Sequence, residues 1–523
     1  MISSLSHLTR LARTGYVFAR EGVFALIDTR ALPLPERTFI AMARLLERPS
    51  AKDGSGRLAA ALTKLGPTYV KLGQFMATRP DVVGTDIAHS LESLQDRMPP
   101  FPQAEAEAVI VAAFDRPLNQ TYASLGPAVA AASIAQVHKA EIDVDGERKT
   151  VAVKVLRPGI ERRLNADLAA FFFAARTAES MSSEAQRLRP VEAVATLARS
   201  VKIEMDFRLE AAAASEMAEN TKDDGDFRVP TVDWDRTARD VLTLEWIDGT
   251  PLNDRAALEA RGLDLPALGR NVIQSFLRHA LRDGFFHADM HPGNLFVDAD
   301  GRLVAVDFGI MGRLGPKERR FLAEILYGFI TRDYMRTAQV HFDAGYVPRH
   351  HKVEDFAQAI RAIGEPIHNR TAEDISMAKL LMLLFEVTGL FDMRTRPELL
   401  LLQKTMVVVE GVARTFDPKL DMWKTADPVV REWIARHLGP IGKLEGAFEG
   451  AGELGRFAAQ VPSLLNRAGT ILDQIDDITR NGLVLSPESV DAIGRAEARR
   501  NRWTTAALWM IALMLGWIAW LLL

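Results

Sequence analysis

Three polar residues stand at spacings that suit phosphoryl transfer. Asp289 and Asn294 lie five residues apart on a loop fixed by Pro292 and Gly293, and Asp307 follows 13 residues after Asn294, directly before Phe308 and Gly309. Moving a phosphoryl group asks a protein mainly for positioning and charge. One carboxylate orients or deprotonates the attacking oxygen, and hard oxygen ligands hold magnesium over the phosphates. Asp289 suits the first task; Asn294 and Asp307 suit the second. His287 and His291, four residues apart, invite a metalloprotease reading. It fails because Pro292–Gly293 stop the helix that would align the rings, and the general-base Glu of H-E-x-x-H is missing. His287 is expected to brace the loop.

These residues need elements to hold them. The turn 298–301 predicts a short hairpin of strands 295–297 and 303–306 between Asn294 and Asp307. From 121 to 155, Val- and Ala-rich runs flank a turn at 143–146, giving a hairpin and then a strand that stops before Pro158. Residues 241–247 read as another buried strand. Residues 1 to about 115 read as helical, as do 160–180 and 190–220, and the chain past Pro251 is mostly helical. The outline is a small β-rich lobe followed by a larger helical lobe. Val151-Ala152-Val153-Lys154-Val155, H-x-D-x-x-x-x-N and D-F-G occur in the order of the protein-kinase signatures, whose strand lysine pairs the α and β phosphates and a helix carboxylate. The fold class is therefore α+β: a protein-kinase-like bilobal fold with a helical N-terminal extension. The carboxylate for Lys154 comes from the helix carrying Glu204, Asp206 and Glu210. Spacing does not choose between Glu204 and Glu210, because helix 160–180 is an insertion. Glu245 to Ile247 form the connection between the lobes, offering backbone groups to an adenine.

Other features depart from the protein-kinase rule. Where a Gly-rich loop would cover phosphates stand Ala130, Ala131, Ala132 and Ser133. Alanine takes positive φ only at a cost and projects a Cβ, so the loop cannot close as glycine does. Ser133 and Gln136 are candidates for side-chain contacts instead, and an alanine run by itself favours a helix start. Ala288 stands where an arginine senses activation-loop phosphate. Past Gly309 a helix opens at Pro316–Lys317 with no A-P-E platform for peptides. Small-molecule or ATPase work is expected.

The whole chain sets the limits. Its 523 residues suffice for two or three domains. Lys plus Arg total 64 against 68 Asp plus Glu, a net charge of −4 that argues against a nucleic-acid partner. Cysteine is absent, which excludes disulfides and thiolate chemistry. Residues 503–523 contain no charge. At 1.5 Å per residue they make a helix of about 31 Å, the thickness of a bilayer's hydrocarbon layer. Arg495, Arg499, Arg500 and Arg502 precede this C-terminal transmembrane helix and hold the body in the cytoplasm. Residues 5–27 are amphipathic but interrupted by arginines, unlike a secretory signal. Apolar runs at 379–391 and 399–409 carry Glu386 and Lys404 and read as core helices. The expected division is an extension at 1–115, an N-lobe at 116–250, a C-lobe at 251–435, a linker with juxtamembrane helices at 436–502, and the span at 503–523.

Together these motifs resemble the UbiB family of atypical kinase-like ATPases of ubiquinone (coenzyme Q) biosynthesis. The Ala-rich loop and the loop 287–294 look like that family's versions of kinase motifs. Lys71, Gly73 and Gln74 carry its K-x-G-Q signature, and Glu204 and Asp206 its E-x-D signature. The resemblance runs with motifs from about residue 65 to 312. It implies that the K-x-G-Q helix meets the E-x-D residues over the active site and blocks protein substrates. It also implies binding of ATP or ADP with Mg2+, and ATP hydrolysis at the bacterial inner membrane. The bilayer, polyprenyl-quinone intermediates and ubiquinone-biosynthesis enzymes are then the partners. Bacterial relatives are often drawn with two C-terminal spans, where this sequence shows one. Two alternatives stay open. Choline- or aminoglycoside-type kinases share the catalytic loop but generally lack the K-x-G-Q extension and the tail. A nucleotide-binding scaffold without turnover is opposed by the presence of Lys154, Asp289, Asn294 and Asp307 together.

Overall fold

The computed structural model describes residues 2–26, 34–48, 56–77, 98–181, 189–367 and 397–438, with single positions among 87–94 and 387–393. The expected span at 503–523 and the expected linker at 436–502, apart from residues 436–438, lie outside the described residues, as does most of the run 379–391. Among the described residues no helix is long and apolar enough to cross a membrane. Residues 1–435 form one compact unit.

The N-terminal extension contributes α1 (Ile2–Arg20), α2 (Gly56–Leu65) and α3 (Pro67–Ala77). Next, α4 (Gln103–Phe114) covers one face of an antiparallel sheet formed by β1 (Ser124–Ala131), β2 (Ala135–Val144) and β3 (Glu147–Leu156). The β2–β3 hairpin turns on Asp145 and Gly146, both at positive φ (53° and 84°). That twist suits a two-residue connection between right-twisted strands. Side chains alternate across a strand. Val151, Val153 and Val155 therefore bury against Ile110 and Tyr122, which turns Lys154 to the opposite face. The alanine run belongs to β1 through Ala131 and does not start a helix: pairing of Ala130 with Val137 and Ala131 with Gln136 outweighs alanine's helical preference.

Beyond the hairpin, α5 (Ile160–Met181) is the inserted helix, tied to α1 by Arg10–Asp167 and to α3 by a 2.6 Å hydrogen bond from Thr68 to Asp167. The expected helix 190–220 is in fact two, α6 (Pro190–Glu204) and α7 (Phe207–Asn220). Asp206 leaves helical geometry (φ −125°) and caps α7, its carboxylate accepting from the Arg208 N–H at 3.2 Å. A core of Leu62, Tyr69, Leu164, Leu197, Phe207 and Leu242 joins the extension, the inserted helix and the sheet.

The chain then forms β4 (Phe227–Arg228), β5 (Val241–Glu245) beside β3, and β6 (Thr250–Pro251). The centre of the helical lobe is α8 (Leu265–Arg278), capped by Asp264 and buried along Leu268, Val272, Ile273 and Phe276. Strand β7 (Phe285–His287), the hairpin β8 (Leu295–Val297) with β9 (Leu303–Ala305), and β10 (Met311–Arg313) frame the polar loops. The hairpin is as expected. The pairing of β7 with β10 and the flanking β4 and β6 are too short to leave a periodic signal. Helices α9 (Pro316–Thr331), α10 (Tyr334–Asp343), α11 (Val353–Ile367), α12 (Pro397–Phe416) and α13 (Met422–Leu438) complete the described chain. The run 399–409 lies in α12 as a core helix, with Leu402 and Val409 buried.

Candidate active site

The polar loop is built on His287 at the end of β7. Its Nδ1 accepts the Asp289 N–H at 3.2 Å, while Nε2 faces the carbonyls of Asp307 (3.0 Å) and Val306 (3.3 Å). Only a proton on Nε2 satisfies both sides. His287 thus joins the two polar loops through their backbones, with Phe308 edge-on against its ring at 5.5 Å. Thr405, from α12, donates to the Ala288 carbonyl at 3.0 Å. No local pattern announces Thr405, which lies 117 residues downstream. His291 accepts the Gly293 N–H at 3.1 Å and stabilises the turn at Pro292–Asn294. Both histidines therefore serve the loop backbone, and neither is set out as a paired metal ligand.

Asn294 donates from Nδ2 to the Asp289 carboxylate (3.0 Å) and carbonyl (3.1 Å). Its side-chain oxygen is thereby the atom left to coordinate a cation. Asp307 sits at φ +63°, a left-handed conformation that an aspartate tolerates better than most residues. Its side chain keeps 50% of its surface toward the cleft. These hard oxygens fit magnesium and offer little to softer metals.

Lys154 settles which carboxylate is its partner. Its Nζ lies 2.8 and 3.0 Å from the two oxygens of Glu210 and 3.0 Å from Asp307. Glu204 instead pairs with Lys71 at 2.7 Å, and Asp206 with Arg208 at 2.7 Å. The break between α6 and α7 explains the division: it lets Glu204 turn to the extension while Glu210 turns to the sheet. Burial opposes the charge on Lys154, but Asp307 and Glu210 more than offset it and hold the ammonium protonated well above its usual range. Lys154 holds Asp307 well below the usual carboxylate range against partial burial, with smaller help from His287 and Lys71. Burial pushes Glu210 up to about 7; Lys154 opposes this and the like charge of Asp307 adds to it. Lys71 is thus within electrostatic reach of the cluster. Gly73 lets its helix pack tightly, since a Cβ there would meet Leu94 at 2.4 Å. Gln74 is half-buried on the same helix.

The remaining expected residues lie at the end of β1 and in its connection to β2, and at the end of β5. Ala130 and Ala131 end β1, Ala132 and Ser133 begin its connection to β2, and none of the four has positive φ. The Ala132 N–H donates to the Ala135 carbonyl at 2.8 Å, and Arg157 donates to the Ala132 carbonyl at 3.4 Å. Ser133 is fully buried. Gln136 does not reach toward the cleft: it is 1% exposed, and its amide brackets the backbone of Phe101 at 2.9 and 3.3 Å. On the interlobe connection, Glu245 is clamped by Arg228 at 3.0 and 3.1 Å, an arginine that the sequence pattern did not single out. The N–H groups of Glu245 and Trp246 donate to the carbonyls of Thr231 and Thr150, and Ile247 follows next on the connection.

Comparison with known proteins agrees with this arrangement. The ABC1 atypical kinase-like domain matches residues 93–341, and the UbiB helical domain matches residues 360–421. A "Probable protein kinase UbiB" of Marinobacter nauticus is 40% identical over 448 residues, covering 84% of this chain and 81% of its own. Relatives of the same name from Azotobacter vinelandii (38% identical, 82% and 79% covered) and Xanthomonas axonopodis (37%, 88% and 84%) align similarly. Among solved structures, a Mycobacterium tuberculosis protein in complex with erythromycin superposes with a TM-score of 0.53 at 24% identity, covering 76% of this chain and 98% of its own, a likeness of fold. With its strand lysine, helix glutamate and two polar loops assembled as in a kinase, and with relatives this similar over most of its length, the chain belongs to the UbiB family of atypical kinase-like proteins.

Proposed function

We propose that the chain is an ATP-using enzyme of phosphoryl transfer that supports ubiquinone biosynthesis at the bacterial inner membrane. The observation that carries this reading is the convergence of Lys154, Glu210 and Asp307 within 3.0 Å, beside the hydrogen-bonded pair Asp289–Asn294. Lys154 steadies the α and β phosphates of ATP or ADP, and Glu210 keeps its ammonium pointed into the cleft. Asn294, through its side-chain oxygen, and Asp307 would hold Mg2+, which supplies charge neutralisation on the phosphates. Asp289, fixed by Asn294 and by its N–H bond to His287, orients water or an acceptor hydroxyl. The connection Glu245–Ile247 receives the adenine, and Ala130–Ser133 cover the phosphates more loosely than a glycine loop.

The 2.7 Å pair of Lys71 with Glu204 favours a restricted cleft, suited to a small or lipid-borne acceptor more than a peptide. Asp206 supports this by capping α7, and Gly73 and Gln74 by seating the extension. The uncharged stretch 503–523 would anchor the body beside polyprenyl-quinone intermediates and the enzymes that modify them.

ATP hydrolysis by the full chain in detergent, with and without anionic lipid, tests the site. Asp307→Asn is expected to lower the rate by at least about a hundredfold, the scale of removing a group that stabilises the transition state. An unchanged rate overturns the assignment. Quinone profiling of a deletion strain tests the pathway: accumulated early prenylated precursors support it, and a normal quinone pool refutes it.

A further inference from the structure

We propose a second metal site, remote in function from the phosphoryl-transfer cleft, at His350, His351 and Asp392. The two imidazoles are consecutive on a turn closed by the His351 N–H donating to the Pro348 carbonyl at 3.2 Å. Their Nε2 atoms lie 3.5 and 3.3 Å from one and the same oxygen, Oδ2 of Asp392, 41 residues further along the chain. All the candidate ligand atoms fall within 4.8 Å of one another.

The distances favour coordination over simple ion pairing. A good charge-assisted hydrogen bond between imidazolium and carboxylate is about 2.7–2.9 Å. Ligand atoms bound tetrahedrally at about 2.0–2.1 Å are instead about 3.3–3.4 Å apart, close to the 3.5 and 3.3 Å that separate each imidazole nitrogen from the carboxylate. The two rings are 4.1 Å apart between centroids, so two imidazolium charges would repel each other. Neutral rings sharing a divalent ion with the carboxylate avoid that repulsion. Two imidazole nitrogens and one carboxylate oxygen form a set suited to Zn2+ or a neighbouring first-row ion, with water in the open position.

Packing fixes part of this geometry in advance. The ring of His351 lies 5.2 Å from Phe391, and Phe391 packs edge-on against Phe356 of α11 at 4.9 Å. The segment that brings the carboxylate thus also supplies the wall that orients an imidazole. His350 and Asp392 keep 64% and 67% of their side-chain surface, so an ion can enter. Bound there, it would clip the turn after α10, which lies between the two matched domains, to the segment before α12 within the helical domain. The role inferred is structural.

The test uses the full chain in detergent, stripped with chelator and titrated with Zn2+ by calorimetry and with Co2+ by visible absorption. About one equivalent is expected to bind, with Co2+ bands of a tetrahedral nitrogen–oxygen site and a raised unfolding temperature. Asp392→Asn and His351→Gln should each weaken binding by at least about tenfold, and Asp307→Asn should leave it unchanged. His350→Gln, at an exposed position, gives a variant whose fold is not at risk. Absence of saturable binding overturns the proposal. So does binding that survives in Asp392→Asn, His351→Gln and His350→Gln alike, or binding lost in Asp307→Asn.

Discussion

Glu210→Gln is the most revealing perturbation of the lysine–carboxylate cluster. The Glu210 side chain is 7% exposed and shares Lys154 with Asp307. Burial raises its pKa from 4.5 to about 7. The folded chain therefore retains a proton that the unfolded chain has released, and stability from this group is lost as pH rises from about 4.5 to about 7. At about 1.4 kcal/mol per unit, a shift of this size amounts to about 3 kcal/mol. Glutamine cannot titrate, so wild type should lose about that much stability relative to Glu210→Gln over this window, and the difference should flatten above it. Urea unfolding of both proteins at a series of pH values from 5 to 8.5 reads the effect, because titrations elsewhere cancel in the comparison. Adding Asp307→Asn removes the like charge and should move the drop to lower pH. Parallel stability curves for wild type and Glu210→Gln would refute the reasoning. So would a difference of opposite sign, which would mean that Lys154 overrides burial and lowers the Glu210 pKa.

Lys71→Ala releases Glu204 and removes a charge that acts on Asp307; altered nucleotide affinity and faster transfer to protein acceptors are expected, and an unaltered nucleotide response would sink the occlusion idea. Asp206→Ala removes the α7 cap and should cost about 1 kcal/mol in thermal unfolding at neutral pH. Because Arg208 lowers the Asp206 pKa, that cap is present above the ordinary aspartate range and is lost as pH falls below it, so the two proteins should converge in acid. Gly312→Ala places a Cβ 2.1 Å from the ring of Phe286, which is itself fixed edge-on to Phe276 at 5.5 Å. Overpacking there should cost about 1–3 kcal/mol, measurable by denaturant titration.

Much of the site was legible because its residues are held by local geometry. The five-residue spacing of Asp289 and Asn294 becomes a direct hydrogen bond, and the turn 298–301 becomes the hairpin that returns the chain to Asp307. Lys154 was readable because valines alternate around it on a strand. The alanine run misled for a related reason. Its intrinsic preference is helical, but pairing along β2, itself backed by β3 and β5, holds it as the edge strand of the sheet.

What the sequence determined by itself is the set of residues and their order: one lysine, the carboxylates and an asparagine arranged as in the kinase motifs, with no cysteine among them. What only the tertiary structure decided is which charges meet. Glu204 and Glu210 are equivalent candidates for Lys154 on paper, yet one holds Lys71 and the other holds Lys154, while Asp206 between them caps a helix. The deciding feature is the two-residue break between α6 and α7, which redirects side chains to different neighbours. The buried braces Thr405 and Gln136 are further examples, since each bonds a backbone distant in sequence. Spacing along the chain reports local geometry. Pairing across it depends on how helices and strands pack, and that is set by the whole core at once.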